Sequence, residues 1–353
     1  MITRVFKYSF AQAKTRALKS KLLSTEDWHF LVGCKKLKEV LKYLRGTDYA
    51  EALSHIPEGR SEADVISLAL YDELFRDYAK LLKAVPKRSS ALLKALLSAF
   101  EAENLKTVLR GIWEGKSPSG IRFYLYHLGR LSTLPIGELV QEPDIPAAIE
   151  LLKPTLFYSA LTHALPQFKA QGRLFPLEVA IDICVFENLV ETLETLDGHD
   201  RKGAADLIGE LIDFENLSWM ARFRHFYDLS PEEIINYMLP GGKHLGIAQV
   251  GSLARRLELN SFIAGLPNPY SDVLKQAKDW PEIQPLFERW FLIQLYNVFR
   301  KDPFQIRLQL SYLLLRQIEV KAIEGLVSAM DLGMPLASFL DFATLTVAGD
   351  GRV

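Results

Sequence analysis

The chain repeats one stretch, Glu101-Ala102-Glu103-Asn104-Leu105-Lys106-Thr107-Val108-Leu109-Arg110, and this repetition decides the fold. A second copy runs Asp213-Phe214-Glu215-Asn216-Leu217-Ser218-Trp219-Met220-Ala221-Arg222, and a degenerate third copy runs from Glu319 to Ser328. In the first copy Leu105, Val108, Leu109 and Ile112 follow the i, i+3, i+4, i+7 spacing of an amphipathic helix. The copies begin 112 and 106 residues apart. The sequence therefore predicts a helical unit of about 110 residues that is used three times.

A second helix precedes the repeated stretch in each unit. The positions 27, 23 and 20 residues before each copy are all apolar or aromatic, and offsets of four and three mark one face of a helix. These positions hold Leu74, Tyr78 and Leu81; Phe186, Val190 and Leu193; and Leu292, Tyr296 and Phe299. Since no alternating, strand-like segment of useful length is present, we predict an all-α fold. Ser-Pro pairs after the first two copies suggest three domains, at residues 1–114, 115–226 and 227–353.

Composition excludes several classes of protein. The 42 basic and 43 acidic residues give a net charge of −1, which argues against wholesale nucleic-acid binding. No apolar run reaches the ~18 residues of a membrane span, and the basic N-terminus lacks the apolar core of a signal peptide. Two cysteines, Cys34 and Cys184, cannot form a disulfide framework, so we expect a reducing compartment and buried thiols.

The sequence contains no recognisable catalytic, cofactor-binding or metal-binding motif. Gly241-Gly242-Lys243 lacks the upstream glycine and the Ser or Thr of a phosphate-binding loop. The histidines are scattered without zinc-ligand spacing. Glu101 and Glu103, repeated as Asp213 and Glu215, suggest a two-carboxylate site, but residues two apart on a helix point about 200° from each other. We therefore predict a protein without catalysis, cofactor, metal or small-molecule substrate.

The repeated asparagine allows two interpretations. Asn104 shares a helical stripe with Leu97, Phe100 and Val108, so its side chain faces a neighbouring segment. It either packs inside the protein and hydrogen-bonds an adjacent helix end, or lines a polar cavity shared by the units. The third copy has alanine and serine where the other two have asparagine and arginine, so the units cannot contribute equally.

The N-terminal residues 1–24 carry six basic residues and no acidic one, with apolar residues at helical spacing. A basic amphipathic helix can lie against an anionic surface or an acidic protein. It can equally be the first helix of a domain with a solvated basic face. Both interpretations remain open at the level of sequence.

Three segments resemble the C subunit of the A/V-type rotary ATPases, whose eukaryotic counterpart is the d subunit of the vacuolar ATPase. They are Glu103–Gly111, the opening Arg16–Ser24 and the segment Ser230–Gly242, and the likeness extends over nearly the whole chain. The chain departs from the family at Lys14-Thr15-Arg16, where Arg-Val-Arg is usual, but the charge pattern is kept.

This resemblance implies a fold, a place and partners. It implies three similar helical domains around a pseudo-threefold axis, forming a funnel on the cytoplasmic face of the membrane without a span of its own. The wide end would cap the proteolipid ring, and the cavity would receive the central-stalk D and F subunits. We expect partner contacts from the repeated motif and from the basic N-terminus, at Glu103, Asn104, Arg110, Glu215, Asn216, Arg222, Arg16 and Lys19.

Two other functions are compatible with parts of the sequence. A helical-repeat adaptor unrelated to rotary ATPases would share the repeats, although open arrays usually have shorter units. An all-α enzyme such as a prenyl-transfer catalyst would need paired Asp-rich metal motifs, which the sequence lacks.

Overall fold

A computed structural model describes residues 2–54, 56, 63–224, 229–336 and 339. These residues form helices and loops with no β-strand among them, so the predicted all-α class is confirmed. The boundary region at 225–228 and the end of the predicted third domain, residues 340–353, lie outside the described part.

Six helices form the frame of the molecule and are called the long helices below, and the other helices surround them. The long helices are α5 (Ala63–Leu82), α6 (Lys87–Trp113), α11 (Phe175–Glu194), α12 (Gly198–Arg222), α17 (Ile283–Val298) and α18 (Arg307–Asp331). The others are α1 (Ile2–Lys19), α2 (Thr25–Gly33), α3 (Leu37–Leu44), α4 (Ala50–Leu53), α7 (Pro118–Arg122), α8 (Ile136–Leu139), α9 (Ile145–Leu151), α10 (Phe157–Gln171), α13 (Pro231–Asn236), α14 (Ile247–Ala254), α15 (Leu259–Ala264) and α16 (Tyr270–Leu274).

The long helices contact each other in a closed cycle. Helix α5 packs on α6, α6 on α11, α11 on α12, α12 on α17, α17 on α18, and α18 packs back on α5. The last long helix of the chain thus meets the first. The predicted pairs of core helices are present, but the arrangement of three domains about a common axis stays a prediction.

Local sequence signals fix several helix starts. Ser24 and Ser230 each accept a hydrogen bond from the third helical residue, whose carboxylate in turn accepts one from the serine backbone N–H. These two capping boxes satisfy backbone groups that a helix start leaves unpaired. Pro231 occupies the first helical position, where its missing N–H costs nothing.

Two of the long helices contain a segment that is buried on all sides. Residues 207–213 of α12 and 308–316 of α18 are covered without interruption, whatever their direction around the helix. A helix buried all round lies inside the protein rather than on its surface. The second halves of α6, α12 and α18 again carry exposed charged residues, among them Arg110, Arg222 and Lys321.

The acidic residue that opens each copy of the motif is a buried acceptor for a loop. Glu101 accepts hydrogen bonds from the backbone N–H and the hydroxyl of Thr133. Asp213 accepts from the N–H groups of His244 and Leu245, at 2.8 and 3.1 Å. Glu319 plays the same part toward the N–H of Leu23, at 2.6 Å.

The third copy is therefore completed by the N-terminus of the chain. Thr133 and Leu245 both lie 32 residues after the acid they contact, whereas Leu23 lies far before Glu319. A buried aromatic residue follows each contact by about 25 residues and lies at the start of a helix: Tyr49, Phe157 and Tyr270. The two tyrosine hydroxyls donate to Glu319 and Asp213, at 2.8 and 2.7 Å. These contacts cross the boundaries of the sequence units 1–114, 115–226 and 227–353, whose division into domains stays a prediction.

The Gly241-Gly242-Lys243 segment lies directly before the loop residues that bond Asp213, and its residue types fit this close approach to α12. Gly241 has a φ of +93°, which favours glycine. A Cβ on Gly242 would lie 2.1 Å from the Asp213 carboxylate. Lys243 forms an ion pair with Glu210 at 2.6 Å. The segment is a tightly packed loop against α12.

The repeated asparagines clamp a loop backbone. The Asn104 amide donates to the carbonyl of Tyr126 at 3.0 Å and accepts from its N–H at 2.8 Å. Asn216 makes the same pair of bonds to Leu239, at 2.9 and 2.8 Å. Both side chains are covered, so the packed interpretation describes them, with a loop and not a helix end as partner.

A buried ion network joins α18 to α5 where the cycle closes. The guanidinium of Arg316 has no solvent exposure and contacts Glu319 at 2.9 Å and Asp48 at 2.8 Å. It also lies 3.6 Å from Asp77 of α5 and 4.4 Å from the centre of the Tyr49 ring. Such a network is costly to break, because loss of one partner leaves buried charges unpaired.

Replacing Asn216 with alanine tests the asparagine clamp. The change leaves the N–H and C=O of Leu239 without partners inside the protein, so we expect the free energy of unfolding to fall by about 2–4 kcal/mol. Urea denaturation measures this value. The control is Asn236→Ala at an exposed position on α13, which should change it by no more than about 0.5 kcal/mol. Equal effects for both variants would contradict the role of the clamp.

Replacing Arg316 with methionine tests the closing network. The variant leaves the carboxylates of Asp48, Asp77 and Glu319 near each other without their shared cation, and we expect a loss of about 3–5 kcal/mol in unfolding free energy. Thermal and urea denaturation provide the measurement. Arg289→Met, at an exposed site on α17, is the matched control. A loss below about 1 kcal/mol for Arg316→Met would show that the network does not hold the seam.

Candidate functional site: an inner charged cluster

Charged side chains gather between α6 and α11. Lys106 is only 8% exposed and forms ion pairs with Glu103 at 2.7 Å and Asp182 at 2.8 Å. One helical turn further along α6, the Arg110 Nε donates to the Glu178 carboxylate at 2.5 Å. Because α6 and α11 come from different sequence units, these pairs join the first unit to the second.

The cluster extends across the inside of the cycle. The carboxylate of Glu215 on α12 interacts electrostatically with Lys106 on α6, Asp182 on α11 and Lys321 on α18. Helices α6, α12 and α18 occupy every second place in the cycle, and α12 and α18 also contact each other directly. We call the side on which their charges meet the inner side of the cycle. We define the inner charged cluster as Glu103, Lys106, Arg110, Glu178, Asp182, Glu215, Arg222, Glu288, Lys321 and Glu324.

Burial acts on the carboxylates of this cluster. It raises the pKa of Glu215, Glu288 and Asp182, and the charges of Lys321 and Lys106 only partly oppose this rise. The pKa of Glu324 is also raised by burial, against a hydrogen bond from the Tyr71 hydroxyl at 2.9 Å. Six acidic and four basic members leave the cluster with a surplus of negative charge.

The third unit carries reversed charges at the matching positions. Two residues after the opening acid stand Glu103, Glu215 and Lys321, and five residues after it stand Lys106, Ser218 and Glu324. Sequence reasoning missed Lys321 and Glu324, although their offsets from Glu319 could have shown the exchange. It also missed Asp182 and Glu288, which share an offset of 31 residues before Asp213 and Glu319.

The predicted partner-binding residues fall into three groups. Glu103, Arg110, Glu215 and Arg222 belong to the inner charged cluster. Asn104 and Asn216 are buried and bonded to loops of their own chain, and their contact with a partner stays a prediction.

The two basic residues proposed from the N-terminus lie elsewhere. The Arg16 guanidinium donates to the carbonyl of Phe299 at 3.0 Å. The Lys19 ammonium lies 5.2 and 5.4 Å from the ring centres of Tyr296 and Phe299. Both therefore attach α1 to the end of α17.

The geometry of the acids favours ion pairing over catalysis. Glu101 is buried against Thr133, whereas Glu103 is exposed and paired with Lys106, so the two do not face one reacting centre. In the described part of the chain, Asp48, Glu73 and Asp77 are close enough to share a cation. The protein's own cations already contact them, with Arg316 at 2.8 Å from Asp48 and Lys80 at 2.8 Å from Asp77.

The chain matches the family model of the ATP synthase (C/AC39) subunit over residues 11–337. It belongs to this family. The resemblance to the C subunit of the A/V-type ATPases is thereby confirmed, and with it membership of a family of non-catalytic subunits of the complex. None of the helices in the described residues is long and apolar enough to cross a membrane.

Curated relatives carry the same description. The A-type ATP synthase C subunit of Haloferax volcanii is 28% identical over 243 residues, covering 69% of this chain and 68% of that protein. That of Methanocaldococcus jannaschii is 21% identical over 335 residues, with 93% and 84% covered. That of Halorubrum lacusprofundi is 25% identical, with 92% and 94% covered.

Neutralising Glu215 tests the electrostatics of the cluster. Burial raises the pKa of the Glu215 carboxyl, so ionising this group lowers the stability of the folded protein. The loss of stability is present above the pKa of the folded state and absent below the pKa of the unfolded state, near 4.3. We expect Glu215→Gln to raise the unfolding free energy by about 1 kcal/mol at neutral pH. The gain should shrink as the pH falls toward 4.

Glu233 provides a control of opposite sign. The backbone N–H and hydroxyl of Ser230 lower the pKa of its carboxyl, so Glu233→Gln should destabilise the protein at neutral pH. Chemical denaturation across the pH range measures both variants. A destabilising effect of Glu215→Gln at neutral pH would contradict the assignment.

Proposed function

We propose that this chain is a non-catalytic rotor component of an A/V-type rotary ATPase. In this function it caps the proteolipid ring on the cytoplasmic face of the membrane and receives the foot of the central stalk, formed by the D and F subunits. Rotation then passes between the soluble head and the ring, coupling ATP hydrolysis or synthesis to proton or sodium transport, with no bond made or broken in this chain. Family membership and the names of the relatives support the complex, and the inner charged cluster supports the socket.

The inner charged cluster is the observation that carries the socket. It gathers ionised side chains from five helices on the inner side of a closed cycle, where an inserted partner would meet every sequence unit at once. Charges of both signs fix the register of a partner and exclude wrong ones, since like charges brought together are costly. The cations near Glu215 and Glu288 only partly offset the cost of burying these two carboxylates. Basic groups on a partner would therefore bind favourably beside them.

The buried segments of α12 and α18 suit a part that transmits torque. Close-packed interiors have low compressibility and transmit strain. In α12 and α18 the fully covered segments lead directly into the halves that bear Glu215 and Lys321. A force on the side chains of Glu215 or Lys321 is therefore transmitted along the helix to its close-packed segment.

Charge reversal in the cluster tests the proposal. We expect the double variant Arg110→Glu, Arg222→Glu to weaken binding of purified D–F stalk complex at least tenfold, because each reversal places like charges against the partner and the cluster. Pull-down and calorimetry measure the binding. The matched control is Lys169→Glu, Arg173→Glu, at exposed positions on and just after α10, which should bind as the parent does.

Two results would count against the socket. One is unchanged stalk binding by the cluster variant together with an unchanged melting temperature. The other is a failure of the unaltered chain to co-purify with either the stalk or a proteolipid ring. The second result would instead favour an adaptor that acts outside a rotary complex.

A further inference from the structure

Hydrogen bonds from helix α1 join several turns at one end of the molecule. The Tyr8 hydroxyl donates to Asp200 at 2.7 Å and shares a hydrogen bond with Ser89 at 2.6 Å. Asp200 also accepts from the N–H of Ile306 at 3.2 Å and from Lys7 at 2.9 Å. The turns that precede α6, α12 and α18 thus meet at one node, and α1 lies across them. We call this region the turn end.

The outward face of α1 carries two exposed aromatic rings, with Ser9 and Arg16 exposed beside them. Phe6 is 81% exposed and Phe10 is 67% exposed, the largest exposures among the aromatic side chains of the described residues. Ala13 and Ala17 continue the same exposed line at the spacing of one helix face. Lys7 and Arg16 contact neighbouring elements, at Asp200 and at the carbonyl of Phe299, so aromatic rings stand beside the cations on this face and favour the interpretation in which the basic helix lies against an anionic surface.

Charge at the turn end is strongly positive. Residues 5–21, 83–88, 194–202 and 300–306 contain twelve of the 42 basic residues but only four of the 43 acidic ones. The turn end therefore carries a formal +8, and the rest of the chain −9. Exposed Lys87 and Arg88 lie directly beside the contact between Ser89 and Tyr8, and the Lys14 ammonium lies 5.5 Å from the Phe10 ring centre.

Helix dipoles add to this charge. Helices α6, α12 and α18 all begin at the node, so their positive ends point to the same side of the molecule. The inner charged cluster lies on the opposite halves of the same helices and on the adjoining α11 and α17, which supply its acidic surplus. The two ends of the long helices thus differ in charge and in apolar exposure.

We infer that the turn end is a lipid-binding face, on which Phe6 and Phe10 enter an anionic bilayer surface and Lys14, Lys87 and Arg88 contact its headgroups. A helix with exposed phenylalanines and flanking basic residues is suited to the boundary between headgroups and acyl chains. The apolar face gains by leaving water, and the cations gain from the negative surface potential. Neither contribution requires a membrane span.

Nucleic acid fits this surface less well. Binding to a phosphate backbone depends on neutralising charge with Lys and Arg and would leave the protruding Phe6 and Phe10 without a role. A bilayer uses both features at once. The site lies away from the inner charged cluster, so the inference does not depend on what occupies that cluster.

Vesicle co-sedimentation of the full chain tests the inference. We expect binding to vesicles of phosphatidylcholine mixed with phosphatidylglycerol, and much weaker binding to phosphatidylcholine alone. Phe6→Ser and Phe10→Ser should each lower the partition coefficient about tenfold, since each removes an aromatic ring that the bilayer would bury. Lys87→Glu, Arg88→Glu should lower binding to the anionic vesicles only.

Control variants keep the test specific. Ile247→Ser, Leu257→Ser removes two side chains that are 77% and 64% exposed in another segment, and it should bind like the parent. Circular dichroism melting shows whether the Phe variants remain folded. Absence of binding to anionic vesicles, or binding that the Phe variants leave unchanged, overturns the inference. Binding of single-stranded RNA that depends on Lys87 and Arg88 but not on Phe6 would assign the face to nucleic acid instead. The assay contains no stalk component, so its failure leaves the proposed function untouched.

Discussion

The structure depends on the contact between its first and last long helices. Six helices in a row would leave two apolar flanks open to water, and packing α18 on α5 covers both. The chain places its most completely buried cation, Arg316, at this contact. Desolvation of that guanidinium is costly, but Asp48, Asp77, Glu319 and the Tyr49 ring surround it. A hydrophobic contact could slide, whereas this network fixes one register between the chain's two ends.

Closure also explains why the third copy of the motif is degenerate. In the first two units the loop after the motif helix is held by an asparagine, since its backbone needs a partner. In the third unit the place of this loop is taken by the N-terminal segment, in which helix α1 leads into Leu23. In helix α1 the backbone N–H and C=O groups already bond to each other. No asparagine side chain is needed to pair them, and the chain has alanine at position 322. Glu319 keeps its role because Leu23 still presents an N–H that needs an acceptor.

Sequence alone predicted the elements better than their contacts. The apolar spacing identified the repeated helix and the helix before it in each unit, because this signal acts within a few helical turns. It also identified Glu103, Arg110, Glu215 and Arg222 as functional candidates. It could not show that Glu319 binds a residue 296 positions earlier, because nothing in a linear pattern encodes a contact that closes a cycle.

The basic sequence of the N-terminus does not by itself define the surface that this helix presents. The basic N-terminus suggests a basic surface, but a lysine stem can bend toward a carboxylate or a ring while an apolar neighbour stays outside. Lys7 and Lys19 do so, and Phe6 and Phe10 are left facing water. The charges counted along the sequence therefore predict that the turn end is positive, but they do not show that Phe6 and Phe10 are exposed on it. At the other end the inner charged cluster gathers paired charges of both signs from α6, α11, α12, α17 and α18. Under the proposed function this difference keeps two partner surfaces apart, because a surface that attracts one partner would otherwise compete for the other.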